Sequence, residues 1–439
     1  METSTITAFL AMGSIIFIGF FGNSIFNRFR IPDVLILVTL GVVIGPDVLG
    51  QRFDLVDHDV LFDIDRFKDI FLSAALVIIL FDGGLSLNLR NVIESMRITV
   101  VMAVMNFMLV MMSVAVLLYL FMGIDFLVAM TLGAIVGGTT GAVVIPIARK
   151  MRIKEKTKAM LIMESVMTDV LVIVATLSLL SIIQLGEFNL LLVARELIVK
   201  FLVGGAIGFA AGIAWLYVLD RLQNQPLSYM ITVAALFIIA AVVEMSPLSS
   251  SGAVAALAFG LAMGNRRFVK KRLTSLSLSI LSEDHIHQFH SEITFFVRTF
   301  FFVYLGLSFR FDSFTATHLV VGLLVISLAV LVRRISTSVA VAIGELGVQE
   351  EKAVFALMPR GLAAAVLATL PAVKLAGLDV WSSELGDLFL NTTFTVILGT
   401  TLIATILSCL SERDFDRKSR MDLRKSLMDE DECLKPVYR

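Results

Sequence analysis

Charge is scarce in this chain. Only 17% of its 439 residues are Asp, Glu, Lys or Arg, and 58% are apolar, whereas soluble domains average about 25% charged and about 45–50% apolar. Mean hydropathy is +0.92. That balance excludes a disordered chain, a coiled coil and a collagen-like fibre. Cysteine is rarer still. Cys409 lies in an apolar segment and Cys433 in a charged tail, which excludes a disulfide scaffold and a cysteine-based metal site. A net charge of −1 argues against a nucleic-acid partner. HExxH, GxSxG and Walker patterns are missing, so an enzyme of those classes, an ATP-driven pump and a cofactor are not expected. The opening Met-Glu-Thr-Ser-Thr has no basic stretch, so the first apolar segment is expected to be retained as a helix.

What the chain has in abundance is long apolar runs. A spanning helix takes about 20 mostly apolar residues. Thirteen candidates lie near 5–26, 32–49, 69–87, 98–121, 126–148, 159–183, 198–219, 227–245, 248–264, 290–309, 317–343, 353–373 and 388–410. The fold expected is an all-α membrane protein of about 13 transmembrane helices. Basic residues gather in alternate loops: Arg28 and Arg30, Arg90 and Arg97, the run from Arg149 to Lys158, Arg221, the run from Arg266 to Arg272, Lys352, and the tail from Arg413. The opposite loops hold few, among them Arg52, Arg66, Arg195 and Lys374. The positive-inside rule then puts the N-terminus outside and the C-terminus in the cytoplasm, in a plasma or inner membrane, as an odd span count requires.

Two spans are interrupted. The fifth reads Leu-Gly-Ala-Ile-Val-Gly-Gly-Thr-Thr-Gly-Ala-Val-Val-Ile-Pro over 132–146, with Gly137, Gly138 and Gly141 at the break. The twelfth carries Pro359, Arg360 and Gly361. They are fifth in spans one to six and fifth in spans eight to thirteen, which predicts inverted six-helix repeats with two discontinuous crossing helices. Broken segments at matching places point to a transporter's central site. Hydrocarbon cannot satisfy the backbone groups a break sets free. Thr139 and Thr140 offer hydroxyls at the first break, and Arg360 a cation for facing helix C-termini at the second.

Span six contains Met163-Glu164-Ser165-Val166-Met167-Thr168-Asp169-Val170. Ser165 and Asp169 share a face, while Glu164 and Asp169 diverge by roughly 140°. One acid can line a cavity while the other meets an arginine. Arg298, Arg333, Arg334 and Arg360 are the basic residues inside predicted spans. Acids at membrane depth are functional by default.

Several short motifs occur in order. They are Ile31-Pro32-Asp33 with Gly41, Gly45 and Pro46; Phe81-Asp82-Gly83-Gly84-Leu85; Ser251-Gly252-Ala253 through Gly264-Asn265; Arg298 followed by Phe301 to Gly306; and Pro359-Arg360-Gly361. In this order and spacing the chain resembles the monovalent cation/proton antiporters, especially the NhaP-type sodium/proton exchangers, over nearly all thirteen spans. That family's span-six pattern is Glu-Ser-x-x-Asn-Asp-Pro. Glu164, Ser165 and Asp169 match, while Thr168 and Val170 replace Asn and Pro. At the span-five Thr-Asp-Pro, Thr139 matches and Thr140 and Gly141 depart.

The resemblance implies that Asp169 is the carboxylate shared by a cation (Na⁺ or K⁺) and H⁺. Ser165, Thr139, Thr140, Thr168 and carbonyls of Val136–Thr139 would then be ligands or neighbours. Glu164 is expected to pair with Arg333 or Arg334, and Arg298 to be structural. It further implies electroneutral one-for-one exchange, because electrogenic relatives carry a second carboxylate where this chain has Thr168. Scaffold helices at 1–97 and 191–310, core helices at 98–190 and 311–412, a cytoplasmic tail at 413–439, contact with membrane lipid and a homodimer complete the expectation. Rival readings are a K⁺/H⁺ or Li⁺-preferring exchanger, a channel, an intramembrane enzyme and a non-transporting sensor. His285, His287 and His290 suggest an interfacial segment, a pH sensor or a metal site. Gly204, Gly208 and Gly212, spaced by four, suggest close intramolecular packing.

Overall fold

The computed structural model describes residues 33–45, 73–85, 87–185, 190–221, 228–246, 251–266, 283–307 and 314–433, with Gly13, Phe17, Phe20, Phe21 and Phe309 besides. Most of the first predicted span lies outside these residues, as do the side chains of Arg298, His285, His287 and His290. Every regular element among the described residues is a helix. In chain order they are α1 (Asp33–Ile44), α2 (Ser73–Leu85), α3 (Leu89–Met122), α4 (Phe126–Ile135), α5 (Gly141–Lys150), α6 (Glu155–Leu185), α7 (Leu190–Arg221), α8 (Ser228–Glu244), α9 (Gly252–Gly264), α10 (Glu283–Leu307), α11 (Ala316–Gly344), α12 (Val348–Ala356), α13 (Leu362–Leu367), α14 (Leu370–Lys374) and α15 (Ser383–Cys433). Five of them contain a stretch long and apolar enough to cross a membrane, in α3, α6, α7, α11 and α15.

The long α3 shows how sequence sets the limits of an element. Asn88 caps its start by accepting the Arg90 N–H at 3.0 Å. Its C-cap, Gly123, sits at φ 65° and donates its N–H to the Tyr119 carbonyl, a left-handed conformation that glycine adopts without strain. From Val100 on, the helix is apolar on nearly all sides, Asn106 and Ser113 excepted. Phe107, Val110, Val114 and Leu118 face protein, while Met108, Met112, Val116 and Leu120 face outward. Lipid on one side and protein on the other accounts for that pattern.

Several predicted spans extend further than hydropathy alone indicated, two of them for a visible reason. The helix expected near 98 begins at Leu89, because its first polar turns are held by the Asn88 cap and an Arg90–Glu94 pair at 2.7 Å. The last helix continues into the charged tail as far as Cys433, where no Gly or Pro interrupts it.

Helices α3 to α6, α11 to α13 and α15 share one apolar core, with Phe107, Leu132, Met160, Val325, Leu357, Phe389 and Val396 fully buried. Helices α2 and α7 to α9 build a second cluster around Phe81, Leu216, Leu236 and Phe259. Small residues bring backbones together in both regions. Gly41 of α1 lies against the Val303 carbonyl of α10, and Gly306 answers it against Val38. Gly204, Gly208 and Gly212 all face α9, so the four-residue spacing serves packing inside one chain.

This contact makes a paired test. A methyl on Gly208 would strike the Ala255 backbone, whereas a methyl on Gly205 meets nothing closer than a Val254 side chain at 3.8 Å. Gly208→Ala should lower the thermal midpoint in detergent, by overpacking worth about 1–3 kcal/mol. Gly205→Ala should hold the midpoint or raise it, through a helix-propensity gain of up to about 1 kcal/mol.

Candidate functional site

The site grows from two helix breaks that touch. α4 ends at Ile135, the chain passes through 136–140 without helical form, and α5 restarts at Gly141. α12 ends at Ala356, 357–361 is irregular, and α13 starts at Leu362. Each break frees backbone groups that need partners. The Thr140 N–H donates to the Pro359 carbonyl at 2.9 Å, so one break satisfies the other. Gly361 makes this possible, because any side chain there would strike Thr140.

α6 clamps the first break. The Thr139 N–H donates to Thr168 Oγ1 at 3.0 Å, and the two hydroxyls are 3.1 Å apart. Thr168 Oγ1 also lies within hydrogen-bond distance of the Thr139 carbonyl (3.2 Å) and of the Ser165 carbonyl (3.0 Å). Gly138 lets α6 approach, since a methyl on it would press the Thr168 backbone and Val172. Gly137 lies equally close to the Phe107 ring. The second break is held from α15, where Thr400 Oγ1 accepts the Arg360 N–H at 3.0 Å.

Glu164 is buried and pairs with Arg333 of α11 through both carboxylate oxygens, Nη2 to Oε2 at 3.0 Å. Arg333 also donates from Nε to the Val354 carbonyl at 2.9 Å and from Nη2 to the Leu357 carbonyl at 2.7 Å. The guanidinium therefore sits on the C-terminal end of α12, where a cation is favoured. This is the position the sequence reading gave to Arg360. Neighbouring Arg334 points away, to Glu351 at 2.8 Å and over the Phe355 ring. Arg360 itself is fully buried, and its Nε, Nη1 and Nη2 have no hydrogen-bond partner among the described residues.

Asp169 lies one turn beyond Ser165, and both are buried. Its carboxylate interacts with the Gly141 backbone N–H at the start of α5, where unpaired amides and the helix dipole favour an anion. The Ser165 hydroxyl donates to the Ile162 carbonyl at 2.8 Å and keeps its oxygen lone pairs for another partner. Asp169, Ser165 and Gly141 thus converge, with Thr139, Thr140 and Thr168 behind them. The side-chain groups of Asp169, Ser165 and the three threonines are all oxygens, the ligand type that hard cations take.

Several polar contacts escaped the sequence reading. Asp82, named above only as part of a motif, is buried and pairs with Arg149 of α5 at 3.1 Å. Asn265, just past α9, ties it to the link before α3 and to the start of α3 by donating to the Leu87 carbonyl at 2.7 Å and accepting the Leu89 N–H at 2.9 Å. Asn106 of α3 accepts the Ser336 hydroxyl at 3.1 Å, one turn along α11 from Arg333. An amide in the apolar run from Val100 to Met122 was the available signal for that last pair.

Comparison with known proteins follows the same lines. A family model described as "Sodium/hydrogen exchanger, transmembrane" matches residues 13–409. A relative named "K(+)/H(+) antiporter NhaP", from Alkalimonas amylolytica, is 26% identical over 275 residues, which is 61% of this chain and 45% of that protein. The chain therefore spans about half the length of that relative. One named "Na(+)/H(+) antiporter 1", from Methanocaldococcus jannaschii, is 24% identical over 414 residues and 91% of each chain. The solved structure of the sodium proton antiporter MjNhaP1 from the same organism superposes with a TM-score of 0.70 at 19% identity, over 92% of this chain and 99% of that one. At that identity the likeness shows the fold.

The ion pair supplies a contrast between neighbours. Arg333→Ala strands the Glu164 carboxylate and should destabilise by about 3–5 kcal/mol, read as a large drop in thermal midpoint in detergent. Arg334→Ala removes a half-exposed pair and should cost no more than about 1 kcal/mol. Equal losses from the two variants would contradict the pairing.

Proposed function

The chain belongs to the sodium/hydrogen exchanger family, and on that premise we propose that it exchanges a monovalent cation for H⁺ across a membrane by alternating access at Asp169. The family is one of multi-pass secondary transporters, not enzymes. The single observation that carries the proposal is the placement of Asp169. It is a buried carboxylate on an unbroken helix, set against the restart of a broken one, where two broken helices are bonded to each other.

The chemistry follows from competition for one group. A carboxylate out of bulk water is stabilised by a proton or by a cation, and one excludes the other. Asp169, the Ser165 hydroxyl and break oxygens near Thr139 and Thr140 are the proposed ligands. Glu164 is held by Arg333 and so is committed to structure. Thr168 carries no charge, so the carrier has the same net charge whether it holds H⁺ or the cation. One-for-one electroneutral exchange follows. Na⁺ is the favoured substrate and Li⁺ is compatible with the same ligands. The potassium name of one relative supports K⁺ as the second reading.

The proposed architecture has 13 spans in two inverted six-helix repeats. Core helices at 98–190 and 311–412 would move against scaffold helices at 1–97 and 191–310, within a homodimer. The N-terminus would lie outside and the C-terminus in the cytoplasm, in a plasma or inner membrane. Basic residues in the alternate loops support that orientation.

The test uses everted vesicles from a host without its own antiporters. A pH-gradient dye is followed while Na⁺, Li⁺ and K⁺ are added in turn. Wild type should dequench the dye with at least one cation, and Asp169→Asn should reduce that response to background. Folded protein that gives no response with any cation between pH 5.5 and 9 would overturn the exchanger reading. A response surviving in Asp169→Asn would move the site elsewhere.

A further inference from the structure

The proposed exchange chemistry makes no use of the Asp82–Arg149 ion pair, which joins α2 to α5. α2 is locked to α9, because a methyl on Gly84, Gly260 or Gly264 would strike the backbone of the facing helix. No layer of side chains separates those two main chains. α2 meets α5 and α6 differently, through the tips of apolar side chains. A methyl on Gly83 would strike the Ile145 side chain and reach Ile162, and one on Gly141 would meet Leu80 at 3.7 Å, beside the Ser165 hydroxyl at 3.5 Å. Leu80, Ile145 and Ile162 are all buried, and they cover the start of α5, where Asp169 meets the Gly141 amide. Apolar contacts are non-directional and can be exchanged for others, whereas interlocked backbones cannot slide without a clash. Charge holds this smooth surface at one end. Arg149 Nη1 lies 3.1 Å from Asp82 Oδ2, and Nη2 donates to the Asp82 carbonyl at 2.7 Å. Arg149 stands about two turns beyond Gly141 on α5, towards the cytoplasm on the proposed orientation. Asp82 is buried, and its Oδ1 has no hydrogen-bond partner among the described residues, while the Arg149 side chain is 34% exposed. The carboxylate thus relies on Arg149, and the guanidinium already reaches water. Towards the other end of α6, Val170 and Val174 meet Val254 of α9 in an apolar cluster.

We propose that Asp82 and Arg149 are a positioning pair that latches the moving core to the scaffold on the cytoplasmic side of Asp169, and that the pair parts in the half-cycle that opens the site to that side. The proposal rests on the exchange reading, with α2 and α9 in the scaffold and α5 and α6 in the core. Such a latch stabilises only the closed arrangement. Without Arg149 the Asp82 carboxylate becomes a buried charge with no counter-ion, which is strongly unfavourable. Sliding α5 away from α2 lets water reach it. Loss of Arg149 alone therefore biases the carrier towards the arrangement open to the cytoplasm. Loss of both charges removes the stranded carboxylate and returns part of that bias. A pair that only held the fold together would lower stability without favouring one side of the membrane.

The test reads access to the site without requiring transport. Full-length protein carries Ser165→Cys in a background of Cys409→Ala and Cys433→Ser. A membrane-impermeant thiol reagent is applied to everted and to right-side-out vesicles, and the ratio of the two labelling rates is taken. Arg149→Gln should raise the cytoplasmic-to-outer ratio several-fold. The double variant Asp82→Asn/Arg149→Gln should raise it less, and Arg149→Lys, which keeps the charge, should stay closest to the parent ratio. Asp82→Asn strands no buried carboxylate and should also raise the ratio, so it carries the test if Arg149→Gln does not fold. With Ser165 intact, Arg149→Gln should lower the apparent KM for the cation at the cytoplasmic face and raise it at the outer face, each several-fold. An unchanged labelling ratio in folded Arg149→Gln or Asp82→Asn would overturn the proposal. So would a shift towards the outer face, or a KM that changes equally at both faces. A shifted ratio in protein that exchanges no cation would leave the latch standing and remove the exchanger reading instead.

Discussion

Hydrocarbon offers a polypeptide no hydrogen-bond partner, so a helix interrupted at membrane depth must find one for each group it sets free. In this chain the two interruptions find each other, and the Thr140 N–H bond to the Pro359 carbonyl joins them. The remaining groups recruit the neighbours. Thr139 reaches Thr168 of α6, Val354 and Leu357 present carbonyls to Arg333 of α11, and Arg360 reaches Thr400 of α15. Three continuous helices are thus tied to the crossing by groups that the breaks exposed. Glu164 belongs to the same chain of necessity. Arg333 sits at the end of α12, and Glu164 neutralises it there through both carboxylate oxygens.

The breaks themselves were legible in the sequence. Glycine pairs and a proline punctuate an apolar run unambiguously, and acids at 164 and 169 stand out in one. Other features were not legible because they depend on helix rotation or on distant contacts. Arg333 and Arg334 differ in sequence by one position and in direction by about 100°. The buried face of α11, formed by Val325, Ala329 and Val332, decides between them, and it is set by packing against α3 and α15. The same limit applies to Arg360, read as the cation for a helix end that Arg333 in fact occupies. Asp82 and Arg149 pair across 67 positions of chain, a separation that no local pattern reports. The thirteen-span count depends in part on residues 5–26, most of which lie outside the described set.

The departures from the NhaP-like motifs have a physical reading in this structure. Two threonines, Thr139 and Thr168, meet hydroxyl to hydroxyl, and Thr168 takes an N–H that the first break exposes. A short hydroxyl does the work of a longer amide because Gly138 brings the two segments close. At position 141 the resembled pattern has proline, which has no N–H to give. Glycine there supplies an amide, and that amide interacts with Asp169. The substitution adds a donor at Asp169, the carboxylate of this helix that Arg333 does not hold.

Charge bookkeeping ties these observations to transport. A carrier must present different faces to two aqueous phases while keeping its buried charge nearly constant, because each uncompensated charge at membrane depth costs about 2.5–3.5 kcal/mol or more. Glu164 and Arg333 neutralise one another in every state in which their bidentate pair survives. Thr168 is neutral whatever the pH. Among the described residues at the crossing, the charges left to balance are therefore those of Asp169, on the unbroken α6, and Arg360, in the second break. On the proposed reading, Asp169 exchanges its partner in each half-cycle and Arg360 does not. The charge at the crossing is then the same in the two loaded states, and the Thr140–Pro359 bond ties the two breaks to each other.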